Sequence, residues 1–326
     1  MGLTQDNIIL FPKWREMLEE ESLQALKEKR YGTALKKLNK LIEHKVEDVE
    51  IFTGKLICLM ELGRLPEAQS LCEELLALKN ENYLHYIHIY LTILLQTNQY
   101  ELLMEEVQSL LEMEHLTPPE REQFLQLFSM SKKMKEESEE EEVNELLAKF
   151  NRAVGEGNIP LQWHYIDRLN KLGAEPENAV IEHLAAETIH PVIKTAIFQW
   201  LQAQQVTEPV RIHKFDKCKD FIPIKIERLD NNQDYKLIVK QFAHVEENNP
   251  TLFQVMKKLL YHFLYVLYPY SPSREHYSDI ALALTSLGKK LLGIDTYHHG
   301  DQSATVSYYE DLIQYAETLY SSVIEE

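Results

Sequence analysis

The stretch Leu62–Leu76, L-G-R-L-P-E-A-Q-S-L-C-E-E-L-L, decides the fold of this 326-residue chain. Gly63 indicates a tight turn between two helices, because glycine is the common residue just past a helix end. Ala68 is a small residue of the kind that lets two helices approach closely. The remaining apolar residues form one stripe along a helix: Leu71, Cys72, Leu75 and Leu76. The stretch therefore predicts a turn followed by an amphipathic helix.

The same pattern recurs at nearly constant distances along the chain. The four positions that define it are Leu65, Ala68, Cys72 and Leu75. A step of 34 residues back gives Tyr31, Ala34, Leu38 and Leu41, and a step of 35 residues forward gives Tyr100, Leu103, Val107 and Leu110. Any amphipathic helix has this spacing within each group of four positions. The recurrence of the group after 34 and 35 residues, however, is typical of helical repeat proteins.

This repetition resembles the tetratricopeptide repeat (TPR), a helix–turn–helix unit of about 34 residues. The three sets fall in the second helices, and the first helices are expected over residues 14–29, 50–62 and 83–97. The match is uneven, because Ser22, Leu56 and Leu91 stand where the family prefers Gly or Ala. The alternative is a generic helical bundle whose spacing matches by accident.

The resemblance implies an α-solenoid whose concave face, lined by the first helices, holds a partner. In this register nine residues line that face: Glu19, Leu23, Leu26, Thr53, Ile57, Met60, His88, Thr92 and Leu95. TPR receptors that bind a C-terminal carboxylate use Lys and Asn at such positions, and this set has neither. Its apolar, mildly acidic character favours a basic or amphipathic protein or peptide. The alternative is that these residues contact the chain's own C-terminal half.

The repeat pattern ends before the segment T-P-P-E at 117–120, and a strongly charged segment follows at 132–142. Such a run is usually a solvated helix or linker rather than a binding tail. We therefore expect three parts: a TPR-like domain over residues 1–115, a helical, charged linker over 116–142, and a C-terminal domain over 143–326.

The C-terminal part is predicted to be helical with one β-hairpin at about 206–228. Val210 and Ile212 alternate with polar residues, and Ile222, Ile224 and Ile226 do the same, which is the period of a strand. Helices are expected before and after it, one of them beginning at Pro191. This order of elements, together with the stretch H-P-V-I-K-T at 190–195, resembles TPR-containing proteins of low-GC Gram-positive bacteria.

Composition restricts the class of partner. The formal net charge of −18 disfavours binding to nucleic acid or to anionic membranes. Three scattered cysteines indicate reduced thiols rather than a disulfide framework. The most apolar stretch, residues 259–268, is too short to cross a bilayer, which needs about 20 residues. We therefore expect a cytoplasmic protein that binds neither nucleic acid nor membrane.

No motif predicts an enzyme or a cofactor, because the nucleophile, phosphate-binding and zinc-protease signatures are missing from the sequence. One polar cluster, His298, His299 and Asp301, could in principle bind a metal, but adjacent loop residues seldom converge on one ion, so a connecting loop is favoured. The sequence thus predicts a mainly α, non-enzymatic interaction scaffold that binds a polypeptide in the TPR groove. The alternatives are a regulatory receptor for a short peptide signal and a metal-dependent hydrolase.

Overall fold

The computed structural model of the chain describes residues 12–46, 48–112, 116–294 and 303–324. By backbone contacts the chain divides into two compact units, residues 1–140 and 141–326. Helices dominate the described part of both units, and two short strands form one small sheet. This confirms the predicted fold class of helical repeats followed by a helical region with a β-hairpin.

The first unit begins with three helical hairpins. Their helices are α1 (Pro12–Lys27), α2 (Tyr31–Glu43), α3 (Val49–Glu61), α4 (Leu65–Ala77), α5 (Tyr83–Gln96) and α6 (Tyr100–Leu111). The predicted first helices lie within two residues of α1, α3 and α5. The repeated positions of the second helices are buried, apart from Tyr31 and Leu65 at their N-termini: Ala34, Leu38, Leu41, Ala68, Cys72, Leu75, Tyr100, Leu103, Val107 and Leu110. The period read from the sequence therefore corresponds to the core of the repeats.

Four of these six helices, α1, α2, α3 and α5, end in the same backbone arrangement. Lys29, Lys45, Gly63 and Asn98 each follow a helix with a positive φ, between 55° and 70°. In each case the next residue donates its N–H to a carbonyl five positions earlier, as from Arg30 to Ala25 at 2.8 Å. This is the Schellman arrangement, which usually has glycine at the positive-φ position. Only one of these four positions, Gly63, is glycine. Lys29 and Lys45 therefore adopt a left-handed backbone conformation that is unfavourable for a residue with a Cβ atom.

Helix α7 (Pro118–Gly155) is 38 residues long and runs from the first unit into the second. Phe124 is buried in the core of the repeats, whereas Phe150 is buried in the core of the second unit. The charged residues 132–142 lie within this helix, where three i, i+4 ion pairs run from Lys132, Lys133 and Lys135. The boundaries of the three expected parts stay a prediction.

The helices of the second unit surround one apolar core. Besides the end of α7 they are α8 (Ile159–Lys171), α9 (Asn178–Glu182), α10 (Pro191–Ala203), α11 (Gln233–Gln241), α12 (Val245–Asn248), α13 (Pro250–Leu267), α14 (Tyr277–Leu291) and α15 (Ala304–Ser321). Helix α10 begins at Pro191, as expected, and the His190 ring caps it by accepting a hydrogen bond from the Val192 N–H at 3.3 Å. Helices α10 and α13 supply much of the core, including Trp200 and Phe263, which are almost fully buried.

The hairpin lies within the predicted range, but its second strand differs from the prediction. Strands β1 (Val210–Lys214) and β2 (Lys217–Phe221) pair antiparallel. Phe215 and Asp216 form the turn with φ of 49° and 57°, the two-residue geometry that fits the twist of a hairpin. Of the alternating isoleucines, Ile222 and Ile226 instead flank a short 3-10 helix at Pro223–Lys225, and Ile224 lies within it. Pro223 has no N–H to donate to a strand partner, so the alternation there was not that of a strand.

Candidate binding site on the repeats

The nine predicted groove residues all lie on the first helices of the repeats, α1, α3 and α5. None of the nine is buried. Leu23 is 53% exposed and Ile57 is 42% exposed, which is unusual for large apolar side chains on helices that also contribute to a core. The first helices therefore present apolar surface outside the core of the repeats.

Three of the nine residues line one cleft. Glu19, Leu23 and Leu26 of α1 meet the start of α3 around a cavity of about 370 Å³. Leu38 of α2 and Ile51 of α3 contribute to its apolar lining. This volume lies at the lower end of the range of ligand clefts, roughly 300–1,000 Å³. The cleft is therefore large enough for one or two side chains of a bound segment.

The rim of this cleft is charged. Arg15 donates from Nε to Glu19 Oε1 at 2.6 Å and from Nη2 to Asp48 Oδ2 at 2.5 Å. The hydrogen bond and charge of Glu19, followed by Asp48, raise the pKa of Arg15. Glu20 and Glu50 complete the acidic rim. One guanidinium thus lies among four carboxylates above an apolar floor.

Asp48 has an unusual role for its position. It is the N-cap residue of α3, with extended φ and ψ, and Asp is among the best capping residues. Its side chain nevertheless accepts no hydrogen bond from the N–H groups of α3 and binds Arg15 instead. The carboxylate is therefore directed to the rim of the cleft rather than to the helix end.

A glycine beside the cleft controls how closely the helices pack. A Cβ at Gly54 of α3 would lie 3.3 Å from methyl carbons of both Leu26 and Leu38. Gly54 thus lets α3 pack closely against α1 and α2. Leu56, which stands where the family prefers Gly or Ala in the second repeat, is a buried core residue.

The other six predicted residues lie outside this cleft. Thr53 Oγ1 lies 2.8 Å from His85 Nε2, so α3 and α5 are joined by a hydrogen bond on this side of the repeats. The ring of His88 stacks on Phe124 of α7, with centroids 5.2 Å apart and planes at 15°. Part of the predicted face therefore contacts the chain's own α7. That the nine residues bind a partner stays a prediction.

Sequence reasoning missed seven residues of the cleft: Arg15, Glu20, Ser22, Leu38, Asp48, Glu50 and Ile51. The i, i+4 spacing of Arg15 and Glu19 on α1 was a usable signal. The approach of Asp48 to Arg15, 33 residues away, had none, because it depends on how α1 and α3 pack.

The second unit contains a buried polar cluster at the base of the hairpin. Lys214 Nζ donates to Thr195 Oγ1 at 2.6 Å, to the Val266 carbonyl at 3.0 Å and to the Tyr268 carbonyl at 2.5 Å. Burial, and then the charge of Lys194, lower the pKa of Lys214 well below its ordinary value. Lys194 itself is buried and donates to the His213 carbonyl at 2.5 Å. Lys214 therefore links β1 to Thr195 of α10 and to backbone carbonyls at the C-terminal end of α13.

The remaining candidates for a chemical site are clusters of metal-binding side chains and the cysteine thiols. Among them no cluster of three or more His, Cys, Asp or Glu side chains has metal-binding geometry. His298, His299 and Asp301 lie outside the described ranges. Burial raises the pKa of Cys58 to about 11 and, with a contribution from Glu73, that of Cys72 to about 12, so both thiols stay protonated near neutral pH.

No helix in the described part of the chain is long and apolar enough to cross a membrane.

Comparison with known proteins finds similar sequences. No protein-family model matches the sequence. The chain is 30% identical over 295 residues to the TPR repeat-containing protein YsoA of Bacillus subtilis (strain 168), an alignment that covers 88% of this chain and 87% of YsoA. Over 70 residues, 22% of this chain, it is 33% identical to sperm-associated antigen 1 of Mus musculus, of which this covers 8%. Among solved structures, the TPR domain of P58(IPK) gives a TM-score of 0.33 at 12% identity, covering 93% of this chain and 66% of that one.

Proposed function

Since this chain belongs to the family of TPR repeat-containing proteins that includes YsoA, we propose that it is a non-enzymatic scaffold that holds a polypeptide segment on the first helices of its repeats. The binding surface is the face of α1, α3 and α5 that carries Leu23 and Ile57. The partner is a protein or peptide that has an amphipathic segment.

The observation that supports this proposal best is the cleft between α1 and α3. Leu23, Leu26 and Ile51 contribute to a concave apolar surface rather than to a flat one. Concave apolar surface with a few polar groups at its edge is the usual form of a binding site. An amphipathic segment gains by inserting an apolar side chain there, because each Å² of apolar surface that leaves water contributes about 25 cal/mol.

Site-specific photo-cross-linking tests the proposal. A photoreactive amino acid is placed at Leu23 or Ile57 in the full-length protein, and cross-linked polypeptides are identified by mass spectrometry. Both positions should capture the same partner. The matched control is Leu78, at the end of α4 and 65% exposed, which should not capture it.

Substitutions make the same test quantitative. Ile57→Asp and Thr92→Asp should reduce capture about ten-fold or more, because a charge would be desolvated in the interface. Leu78→Asp should leave capture unchanged. Equal capture by the groove variants, with helical content unchanged by circular dichroism, would refute the groove as the binding surface.

A regulatory receptor for a short peptide is the second candidate, and the small volume of the cleft, about 370 Å³, favours a short ligand. A tightly bound peptide stabilises the folded state by mass action, by about 2.7 kcal/mol at 100 times its Kd. Thermal unfolding of the full chain with a pool of short peptides distinguishes the two functions. A peptide that shifts the transition in the wild type but not in Leu23→Asp supports the receptor.

A further inference from the structure

The rim of the α1/α3 cleft has a charge imbalance that points to one class of ligand. Its lining residues include four carboxylates and one guanidinium, a formal charge of −3. The carboxylates belong to Glu19, Glu20, Asp48 and Glu50. The floor beneath them is apolar. A segment that fits both features carries an apolar side chain next to a cationic one.

Arg15 shows where such a cation would bind. Its guanidinium contacts Glu19 and Asp48, two carboxylates on different elements, at 2.6 and 2.5 Å. Asp48 is available for this contact because it does not cap α3. The pair of carboxylates is thus spaced to hold one guanidinium at the edge of the apolar floor.

Arg15 is held loosely enough to be exchanged. The side chains of Arg15 and Asp48 are 45% and 52% exposed. Ion pairs this exposed contribute little to stability, because both charges remain solvated and the side chains lose entropy when paired. A ligand that brings a second cation and also inserts an apolar side chain into the cleft therefore competes well with Arg15 for the two carboxylates.

We propose, building on the scaffold function above, that this cleft binds a basic amphipathic peptide segment whose arginine or lysine displaces Arg15 from Glu19 and Asp48 while a neighbouring apolar side chain enters beside Leu23 and Leu26. Arg15 is then an internal competitor for the ligand's cation. An acidic segment is excluded by the four carboxylates, and the chain's overall charge of −18 adds to the attraction of a basic partner at a distance.

If Arg15 competes with the ligand's cation, its removal should strengthen peptide binding, and this can be measured on the whole chain. Three labelled helical peptides share one leucine stripe and carry arginine and lysine, glutamine, or glutamate on the flanks. Fluorescence anisotropy at low salt should rank affinity as basic, then neutral, then acidic. Arg15→Ala should tighten binding of the basic peptide about two- to five-fold, whereas Glu19→Gln and Asp48→Asn should each weaken it by a similar factor.

The matched control is Arg64→Ala, which removes a comparably exposed arginine paired with Glu67 at the start of α4, outside the cleft lining. It should not tighten binding. Rising salt should reduce the advantage of the basic peptide over the neutral one, since exposed charges are screened. Circular dichroism of each variant checks that the helices are retained.

The outcomes separate this inference from the scaffold function. If all three peptides bind equally and Leu23→Asp abolishes binding, the groove binds peptides but the cation preference is refuted. Weaker binding of the basic peptide by Arg15→Ala also overturns the competitor role. If no peptide binds, or if the protein forms a dimer that Leu23→Asp dissociates, the cleft is not a basic-peptide site, and the dimer assigns it to a second copy of the chain.

Discussion

His190 should make the stability of the protein depend on pH in a defined way. Its ring caps α10 by accepting the Val192 N–H, which only a neutral imidazole nitrogen can do. Burial, and then the charge of Lys214, lower the pKa of His190 to about 4. The positive end of the α10 dipole acts in the same direction. Folding therefore keeps this histidine neutral.

The size of the pH effect on the free energy of unfolding follows from how far the pKa of His190 is lowered. Above pH 6.5 the imidazole is neutral in both folded and unfolded chains, so it contributes no pH dependence. As the pH falls from 6.5 toward 4, the unfolded chain binds a proton that the folded chain does not, and the free energy of unfolding decreases. A shift from 6.5 to about 4, at about 1.4 kcal/mol per pKa unit, corresponds to about 3 kcal/mol.

His190→Asn isolates this contribution, because asparagine caps helices well but does not titrate. Urea unfolding followed by tryptophan fluorescence reports on the unit that contains His190, since Trp200 is buried in its core and Trp163 packs against that core. The free energy of unfolding of the wild type minus that of the variant should decrease by about 3 kcal/mol between pH 7 and pH 4. The control His244→Asn removes an exposed histidine of the same unit and should keep the wild-type pH dependence. A pH-independent difference for His190→Asn would refute the half-buried, neutral helix cap.

Further predictions concern the anchor of the hairpin, the helix ends and the helical glycines, each measured by urea unfolding followed by circular dichroism. Lys214→Met should cost about 2–5 kcal/mol because the Val266 and Tyr268 carbonyls lose a buried donor, whereas Lys217→Met, its exposed cross-strand neighbour, should change stability by less than about 0.5 kcal/mol. Lys29→Gly should stabilise the protein by about 1 kcal/mol, since φ is 56° there; a loss would contradict the strain at this helix end. Gly288→Ala should destabilise by about 1–3 kcal/mol because its Cβ would lie 2.7 Å from Leu252 Cδ1, whereas Gly32→Ala has open space and should stabilise by about 0.5–1 kcal/mol.

The repeats were predictable because each hairpin depends on a local sequence pattern, and that pattern occurs three times. Gly63 and the stripe that follows it fix one hairpin, and the same stripe 34 residues earlier and 35 later fixes its neighbours. A helix with one apolar face must bury that face, and Leu38, Cys72 and Val107 at equivalent positions are indeed buried.

The hairpin shows where a local pattern fails. Alternation at Ile222, Ile224 and Ile226 has the period of a strand, yet the strand lies just before it, at Lys217–Phe221. The true turn is formed by Phe215 and Asp216, two residues with positive φ and without the usual asparagine–glycine signature. Backbone conformation at such a turn is imposed by the tertiary contacts of the strands, which a sequence pattern does not contain.

The candidate site was only partly predictable for a similar reason. The helical register placed Glu19, Leu23 and Leu26 on the face of α1 that lines the cleft. The rim depends on Asp48 meeting Arg15 across a gap of 33 residues, and on Asp48 leaving α3 uncapped. By residue type alone, Asp48 would have been read as a helix cap.

The 38-residue helix α7 has a practical consequence for dividing the protein into fragments. Its first half buries Phe124 in the repeat core, and its last turns bury Leu146, Leu147 and Phe150 in the other core. A fragment that ends at residue 112 leaves the last repeat without the residues that cover its end, and stacked repeats need such a cover to stay in solution. One that ends near residue 140 keeps this cover, so expression of the repeats alone should succeed only with the first half of α7 included.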